Sequence, residues 1–330
     1  MSRNTKLFLS VILAGVLACG AVVAVFLSTF LQVPDFSGML TLVEVPIKLA
    51  NGTKSTRMMG PQAPGWAAFS QISDDLITAV ISSEDTSFYS HQGVDFHEMK
   101  ESLKKDLVEK RWARGGSTIT QQVIKNVYLS PEKSLWRKLK EVIWARELDK
   151  QLTKQQVLCF YLNMAEWGPG IYGIREAAQH YFAASPAQLN PKQGAFLAML
   201  IPSPVKYHNA YFPKKKLTKW ASSRVNHILK IMSAMGYLDT AQYEAALHQS
   251  LWGEVPDASA EGLDDEIPPI EGDTDLPDAG VPAETSRGVK PARTEKPVTL
   301  NPDSSPVPAD KGESPTPLDE PTPETTFAPQ

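Results

Sequence analysis

The longest apolar run covers Leu7 to Leu31, 25 residues without a charge. As a helix rising ~1.5 Å per residue it would reach roughly 37 Å, enough to cross a bilayer with some tilt. Arg3 and Lys6 precede it and no basic residue follows before Lys48. The positive-inside bias then keeps residues 1–6 in the cytoplasm and sends everything after about Val33 outward. The run exceeds the ~7–15 residues of a signal-peptide core, which favours an uncleaved transmembrane helix over 7–31. A cleaved leader is the alternative.

Residues 34–71, with scattered Gly and Pro, predict an irregular or partly extended connector. After it the period turns helical. Ser73 precedes Asp74 and Asp75, with Leu76, Ile77, Val80 and Ile81 at helical spacing, so a helix should end near Glu84. Asp95 with Glu98 forms a capping box ahead of Phe96, Met99, Leu103 and Leu107. Ser117, Ser134, Thr153 with Gln156, and Asn190 with Pro191 and Gln193 are further N-cap signals, each followed by apolar residues three and four apart. Trp220 to Met235 closes the series at Gly236, and Asp239 with Gln242 starts a last short helix. No convincing strand alternation lies between them, so residues 72–252 predict one mainly α domain.

Composition separates this body from the C-terminal segment. Residues 253–330 hold 15 of the 26 prolines, 18 acidic and 5 basic residues, and Phe327 as the one aromatic. Such a segment cannot bury a core and predicts an acidic, Pro-rich disordered tail. The net charge of −4 therefore divides into +9 before Gly253 and −13 after it. A basic body suits a polyanionic partner: nucleic acid, an anionic membrane surface or a phosphate-bearing substrate. Of the two cysteines, Cys19 lies in the apolar run and Cys159 among Val157, Leu158 and Leu162, so Cys159 is expected in the core rather than in a disulfide.

Three polar clusters interrupt otherwise ordinary helical patterning. Glu84-Asp85-Thr86-Ser87-Phe88-Tyr89-Ser90-His91-Gln92-Gly93 takes an acidic pair from a helix into a loop. Gly115-Gly116-Ser117-Thr118-Ile119-Thr120-Gln121-Gln122 leads glycines into a helix start whose first-turn amides could bind an anion. The third runs from Lys125 through Lys133, Arg137, Lys138 and Lys140 to Glu141. A helix beginning near Lys133 would align Lys133, Arg137 and Glu141 along one face. Singly, each has an ordinary explanation: an acid pair at a helix end is commonly a cap, His91 is commonly structural, and Arg137 with Glu141 could be a surface pair worth ~0.3–0.5 kcal/mol. Their co-occurrence in about 60 residues of an exported, tethered chain weighs against that.

These clusters resemble the signature of the peptidoglycan glycosyltransferases of glycosyltransferase family 51, lysozyme-like domains found in bifunctional penicillin-binding proteins and in monofunctional biosynthetic transglycosylases. EDTSFYSHQG from Glu84, GGSTITQQ from Gly115 and RKLKE from Arg137 match three motifs in order; KQQVLCFYLN from Lys154 is similar to a fourth, and Arg224-Val225-Asn226 lies where a fifth is expected. The similarity extends from about Ser70 to Leu247.

The resemblance implies a mainly α, lysozyme-like helical domain with a small membrane-proximal jaw near Met99 to Trp112. It implies an inverting enzyme that polymerises lipid II into β-1,4-linked glycan strands with release of undecaprenyl pyrophosphate. Carried over by position, Glu84 is the catalytic base and Glu141 the second acid. Lys125 and Lys133 face the donor pyrophosphate, and Arg137, Gln121, Ser117 and Asn163 are substrate-binding candidates. Lys133 departs from the arginine of some relatives, which keeps charge but loses bidentate geometry. A divalent ion, Mg or Mn, bridging Glu141 and the pyrophosphate is compatible with this pattern. The implied partners are lipid II, the lipid-linked glycan chain, the cytoplasmic membrane and other wall-synthesis or division proteins, with no nucleic acid.

Two other matches fail. Gly168-Pro169-Gly170-Ile171-Tyr172-Gly173 satisfies the dinucleotide fingerprint but follows a helix and carries a proline where amides should approach phosphate, so it is expected to be a turn. Ser203-Pro204-Val205-Lys206 satisfies the transpeptidase SxxK pattern, yet the sequence has no KTG. The alternatives to a polymerase are a lysozyme-like lytic transglycosylase and a non-catalytic scaffold. Cleavage would need a general acid and no lipid, and a scaffold would have no need of both acids.

Overall fold

The computed structural model describes residues 3–30, 32–109, 116–132 and 134–252. Helix α1, Arg3–Phe30, has no buried residues in its apolar stretch and stands alone among the described helices as long and apolar enough to cross a membrane. Its outward side chains include Leu7, Phe8, Val11, Leu17 and Val22.

The body is mainly α. Its helices are α2 (Asp74–Glu84), α3 (Phe96–Glu109), α4 (Ile119–Tyr128), α5 (Leu135–Gln151), α6 (Lys154–Met164), α7 (Ile174–Phe182), α8 (Pro191–Leu200), α9 (Pro204–Tyr211), α10 (Lys219–Ala234) and α11 (Thr240–His248). The start signals behave as their chemistry requires. The side chains of Ser73, Ser134, Thr153, Asn190 and Asp239 each accept a hydrogen bond from the backbone amide three residues on.

Three helices are buried nearly all round and form the centre. In α2 every residue from Leu76 to Ser82 is buried, in α6 every residue from Val157 to Met164, and in α8 every residue from Gly194 to Leu200. Each large side chain there contributes roughly 1.5–3 kcal/mol by burial. Gly194 lets α8 approach closely: a Cβ there would lie 3.0 Å from the Asp75 carbonyl oxygen and the Leu76 Cα. Around this centre α10 is amphipathic and turns Val225, Ile228, Leu229 and Met232 inward. Cys159 is a buried free thiol, as its neighbours imply.

The connector is partly extended, and it is packed into the core of the body. It contains an antiparallel hairpin of β1 (Val43–Lys48) and β2 (Lys54–Met59), with Val43 opposite Met59 and Lys48 opposite Lys54. Val45 and Ile47 face the core, and Phe36, Met39, Met59 and Ala67 join them. Arg57 pairs with Glu176 at 2.8 Å and the Lys48 amide donates to the Tyr172 hydroxyl at 2.7 Å. The folded body therefore begins well before residue 72. The glycine-rich stretch is the predicted turn, between β3 (Glu166–Gly168) and β4 (Ile171–Tyr172), with Gly170 at φ +72°. Of the jaw positions, Met99 packs against the core. The side chains of Leu103 and Leu107 and all of Trp112 lie outside the described residues, as do Lys133 and the tail 253–330.

Candidate active site

Glu84 is the last residue of α2, so the helix delivers it to the edge of the core where the chain turns into a loop. That loop is pinned from both sides. The Asp85 carboxylate receives the Ile119 amide at 2.9 Å and meets His91 Nε2 at 3.0 Å, with both side chains buried. Gly93, at φ +77°, lies against α5, and a Cβ there would stand 2.3 Å from the Ala145 carbonyl oxygen.

The α4 terminus corrects one expectation. Its N-cap is Thr118, not Ser117: Thr118 Oγ1 accepts from the Gln121 amide at 3.1 Å and donates to the Gly93 carbonyl at 2.7 Å, while Gln121 Oε1 accepts from the Thr118 amide at 3.1 Å. With the Ile119 amide on Asp85, three amides of this helix start, those of Thr118, Ile119 and Gln121, are occupied by the protein's own groups.

From that capped start α4 directs three residues toward the two acids. Gln122 Nε2 donates to Glu84 Oε2 at 2.8 Å. Gln121, fully buried, donates from Nε2 to Glu141 Oε1 at 3.2 Å. Lys125, one turn further, carries charge toward both acids. Lys125 keeps solvent-exposed surface although protein surrounds it on most sides. Burial pushes its pKa down, against the pull of Glu141 and Glu84. Glu84 is half-buried. Burial pushes its carboxyl up, opposed by the Gln122 bond and by the charges of Arg224 and Lys125, and reinforced by Asp85.

Glu141 lies in α5 and is only 2 % exposed. Arg137 Nη1 reaches its Oε2 at 3.2 Å and Lys138 Nζ its Oε1 at 2.5 Å. Lys138 also donates to Ser117 Oγ at 3.0 Å. The helix starts at Leu135, so the predicted stripe reduces to Arg137 and Glu141, and Lys138 joins from the i, i+3 direction. The structure thus gathers Glu84, Gln121, Lys125, Arg137, Ser117 and Glu141 along α2, α4 and α5.

Asn163 sits apart from this network. Its side chain accepts from the Ala67 amide at 2.8 Å and donates to the Ala67 and Cys159 carbonyls at 2.9 Å each. It fastens the connector to α6 and has no polar group left to offer a substrate. Sequence reasoning missed Gln122, Tyr161 and the second role of Lys138. Gln122 and Lys138 each neighbour a selected residue, and helical spacing from Glu141 would have found Lys138.

A divalent cation needs about six oxygen ligands. Among the described residues no three His, Cys, Asp or Glu side chains converge, and both Glu141 oxygens already face cationic or amide donors. The described side chains by themselves therefore form no complete cage for a metal.

A family model described as transglycosylase matches residues 51–233. The chain belongs to the transglycosylase family. Curated transglycosylase relatives named biosynthetic peptidoglycan transglycosylase include one from Nitrosomonas eutropha, 42% identical over 156 residues, covering 47% of this chain and 64% of that protein. Another, from Nitrosomonas europaea, is 47% identical over 154 residues, covering 47% and 63%. The chain thus matches just under two thirds of these relatives' lengths. The crystal structure of penicillin-binding protein 1A from Haemophilus influenzae overlaps at TM-score 0.32 and 20% identity, over 64% of this chain and 21% of that one.

Proposed function

We propose that the protein is a peptidoglycan glycosyltransferase that lengthens glycan strands from lipid II and releases undecaprenyl pyrophosphate. The observation that supports this most is the division of the acids. Glu84 is half-buried and held by one neutral amide, whereas Glu141 is buried and bound to Arg137, Lys138 and Gln121.

A pyrophosphate leaving group departs as a stable anion and needs positive charge rather than a proton. Lys125, Arg137 and Lys138 supply it, and Glu141 fixes the last two in position. The acceptor sugar hydroxyl does need deprotonation as its oxygen attacks the anomeric carbon. Glu84 takes that proton while the bond to pyrophosphate breaks with its electron pair on the leaving oxygen. Burial raises the affinity of Glu84 for a proton, which suits a base working near neutral pH. Lys133 completes the cationic set in this proposal, and no step is routed through a metal.

Helix α1 is the anchor in this reading, with residues 1–6 cytoplasmic and the folded body on the outer face of the membrane, where the lipid-linked substrate is presented. The acidic tail is a candidate arm for wall-synthesis partners. The test is the purified full chain with labelled lipid II. Lengthened glycan, sensitive to muramidase, supports the proposal. Clearing of purified cell wall without polymerisation overturns it in favour of a lytic enzyme.

A further inference from the structure

Tyr161, on α6, is 1 % exposed, and its hydroxyl donates to Gln122 Oε1 at 3.0 Å. The same amide donates from Nε2 to Glu84 Oε2 at 2.8 Å. The oxygen and nitrogen ends of an amide have nearly the same shape, so only a difference between its two partners holds one orientation. Tyr161 provides that difference by presenting a proton to the oxygen end. Burial pushes the phenol pKa well above its ordinary value, so the proton stays in place at any physiological pH. With the oxygen directed at Tyr161, the N–H must face Glu84, an arrangement that suits a carboxylate and not a carboxylic acid. Without the phenol hydroxyl the amide is free to turn its oxygen toward Glu84, which favours the protonated acid.

We propose that Tyr161 is a positioning residue for the base: acting through Gln122, it holds Glu84 ionised and fixed in direction. Its effect on rate rests on the glycosyl-transfer reading, whereas its effect on Glu84 does not. The other groups acting on Glu84 are Lys125 from α4, Arg224 from α10 and the adjacent Asp85. None depends on which way the amide is turned, so the contribution of Tyr161 can be separated from theirs.

The experiment titrates the Glu84 carboxyl by carbon NMR in full-length protein labelled at glutamate side-chain carbons, the signal being identified by its loss in Glu84→Gln. Tyr161→Phe should titrate at higher pH than wild type, as should Gln122→Met. The double variant should match Gln122→Met, because Tyr161 has no route to Glu84 once the amide is gone. In glycan polymerisation, Tyr161→Phe should lower kcat about fivefold at neutral pH, the scale of one lost buried hydrogen bond, with unchanged KM for lipid II and recovery as pH rises. An unmoved Glu84 titration, a loss of rate equal at every pH, or a further shift in the double variant would overturn the proposal. Should Tyr161→Phe fail to fold, Tyr161→Met, which keeps apolar bulk and removes the hydroxyl, is titrated in its place: a raised Glu84 value supports the relay and an unmoved one refutes it. A wild type that titrates as described but polymerises nothing refutes the glycosyl-transfer reading and leaves the Tyr161 assignment standing.

Discussion

Replacing Glu141 by Gln removes a single negative charge from a nearly dry site. The carboxylate is 2 % exposed, Arg137 presents a side chain 18 % exposed and Lys138 one 38 % exposed. Hydrogen bonds to charged groups are worth ~1.5–3 kcal/mol each, and breaking a buried pair costs ~3–5 kcal/mol. Lys138 is open enough for water to replace most of what it loses, and the new amide oxygen still accepts one bond. The Arg137 term therefore dominates, for a total of about 3 kcal/mol. Against a folding stability of ~5–15 kcal/mol the variant stays folded, and its melting temperature should fall by about 6–12 °C for a body of this size. Glu147→Gln on the same helix is the control. Its partner Lys150 lies at 2.6 Å with side chains 62 % and 33 % exposed, so its loss should stay within ~0.5 kcal/mol. Differential scanning calorimetry of the three proteins reads the comparison. Equal melting shifts for the two variants would refute the claim that Glu141 organises the cations, and with it the role given to Glu141 in leaving-group stabilisation.

Glu84→Gln should lower the polymerisation rate by a factor on the order of 10² or more while leaving lipid II binding nearly unchanged; rapid-quench kinetics with normal turnover would refute its role as base. Because burial raises the folded-state pKa of Glu84, the folded protein binds this proton more tightly than the unfolded chain does. Stability present below the unfolded value is then lost as pH rises through the folded one. Glu84→Gln should accordingly be more stable than wild type at about pH 7 and not at about pH 4, as urea melts would measure. Gly93→Ala forces a Cβ to 2.3 Å from the Ala145 oxygen at φ +77° and should cost about 3 kcal/mol or more; a wild-type melting curve would disprove that contact. Ending the chain after Trp252 should leave the polymerisation rate nearly intact, since the acidic tail is too poor in apolar residues to shape a site, and an inactive but folded truncation would overturn that view.

Much of the helical frame was legible because caps are local chemistry. Ser73, Ser134, Thr153, Asn190 and Asp239 each bond an amide three residues away, and such a bond depends on few distant neighbours. The miss at Ser117 has the same origin: Ser117 and Thr118 are both capping types, and the choice between them is made by the Gly93 carbonyl, 25 residues away. The hairpin escaped because only β1 places apolar residues at its inward positions. Val45 and Ile47 point inward there between exposed residues, whereas the less exposed positions of β2 ahead of Met59 are Ser55 and Arg57. Strands β3 and β4, at three and two residues, are too short to show a period. In the site, the acids stood out by motif and Lys138 lies three residues from Glu141 on one helix, but Gln122 and Tyr161 meet Glu84 and each other across three different helices, which no spacing along the chain encodes.

The contact of Gly93 with Ala145 joins main chain to main chain, and it links the loop that leaves Glu84 with the helix that carries Glu141. The interval between the two carboxylates is therefore gauged by backbone atoms, which substitutions of neighbouring side chains leave in place. Arg137 and Lys138 belong to the same frame, since both bond the Glu141 carboxylate. A substitution beside the acids can therefore change the charge and shape presented between them without resetting the separation of the helices that carry them.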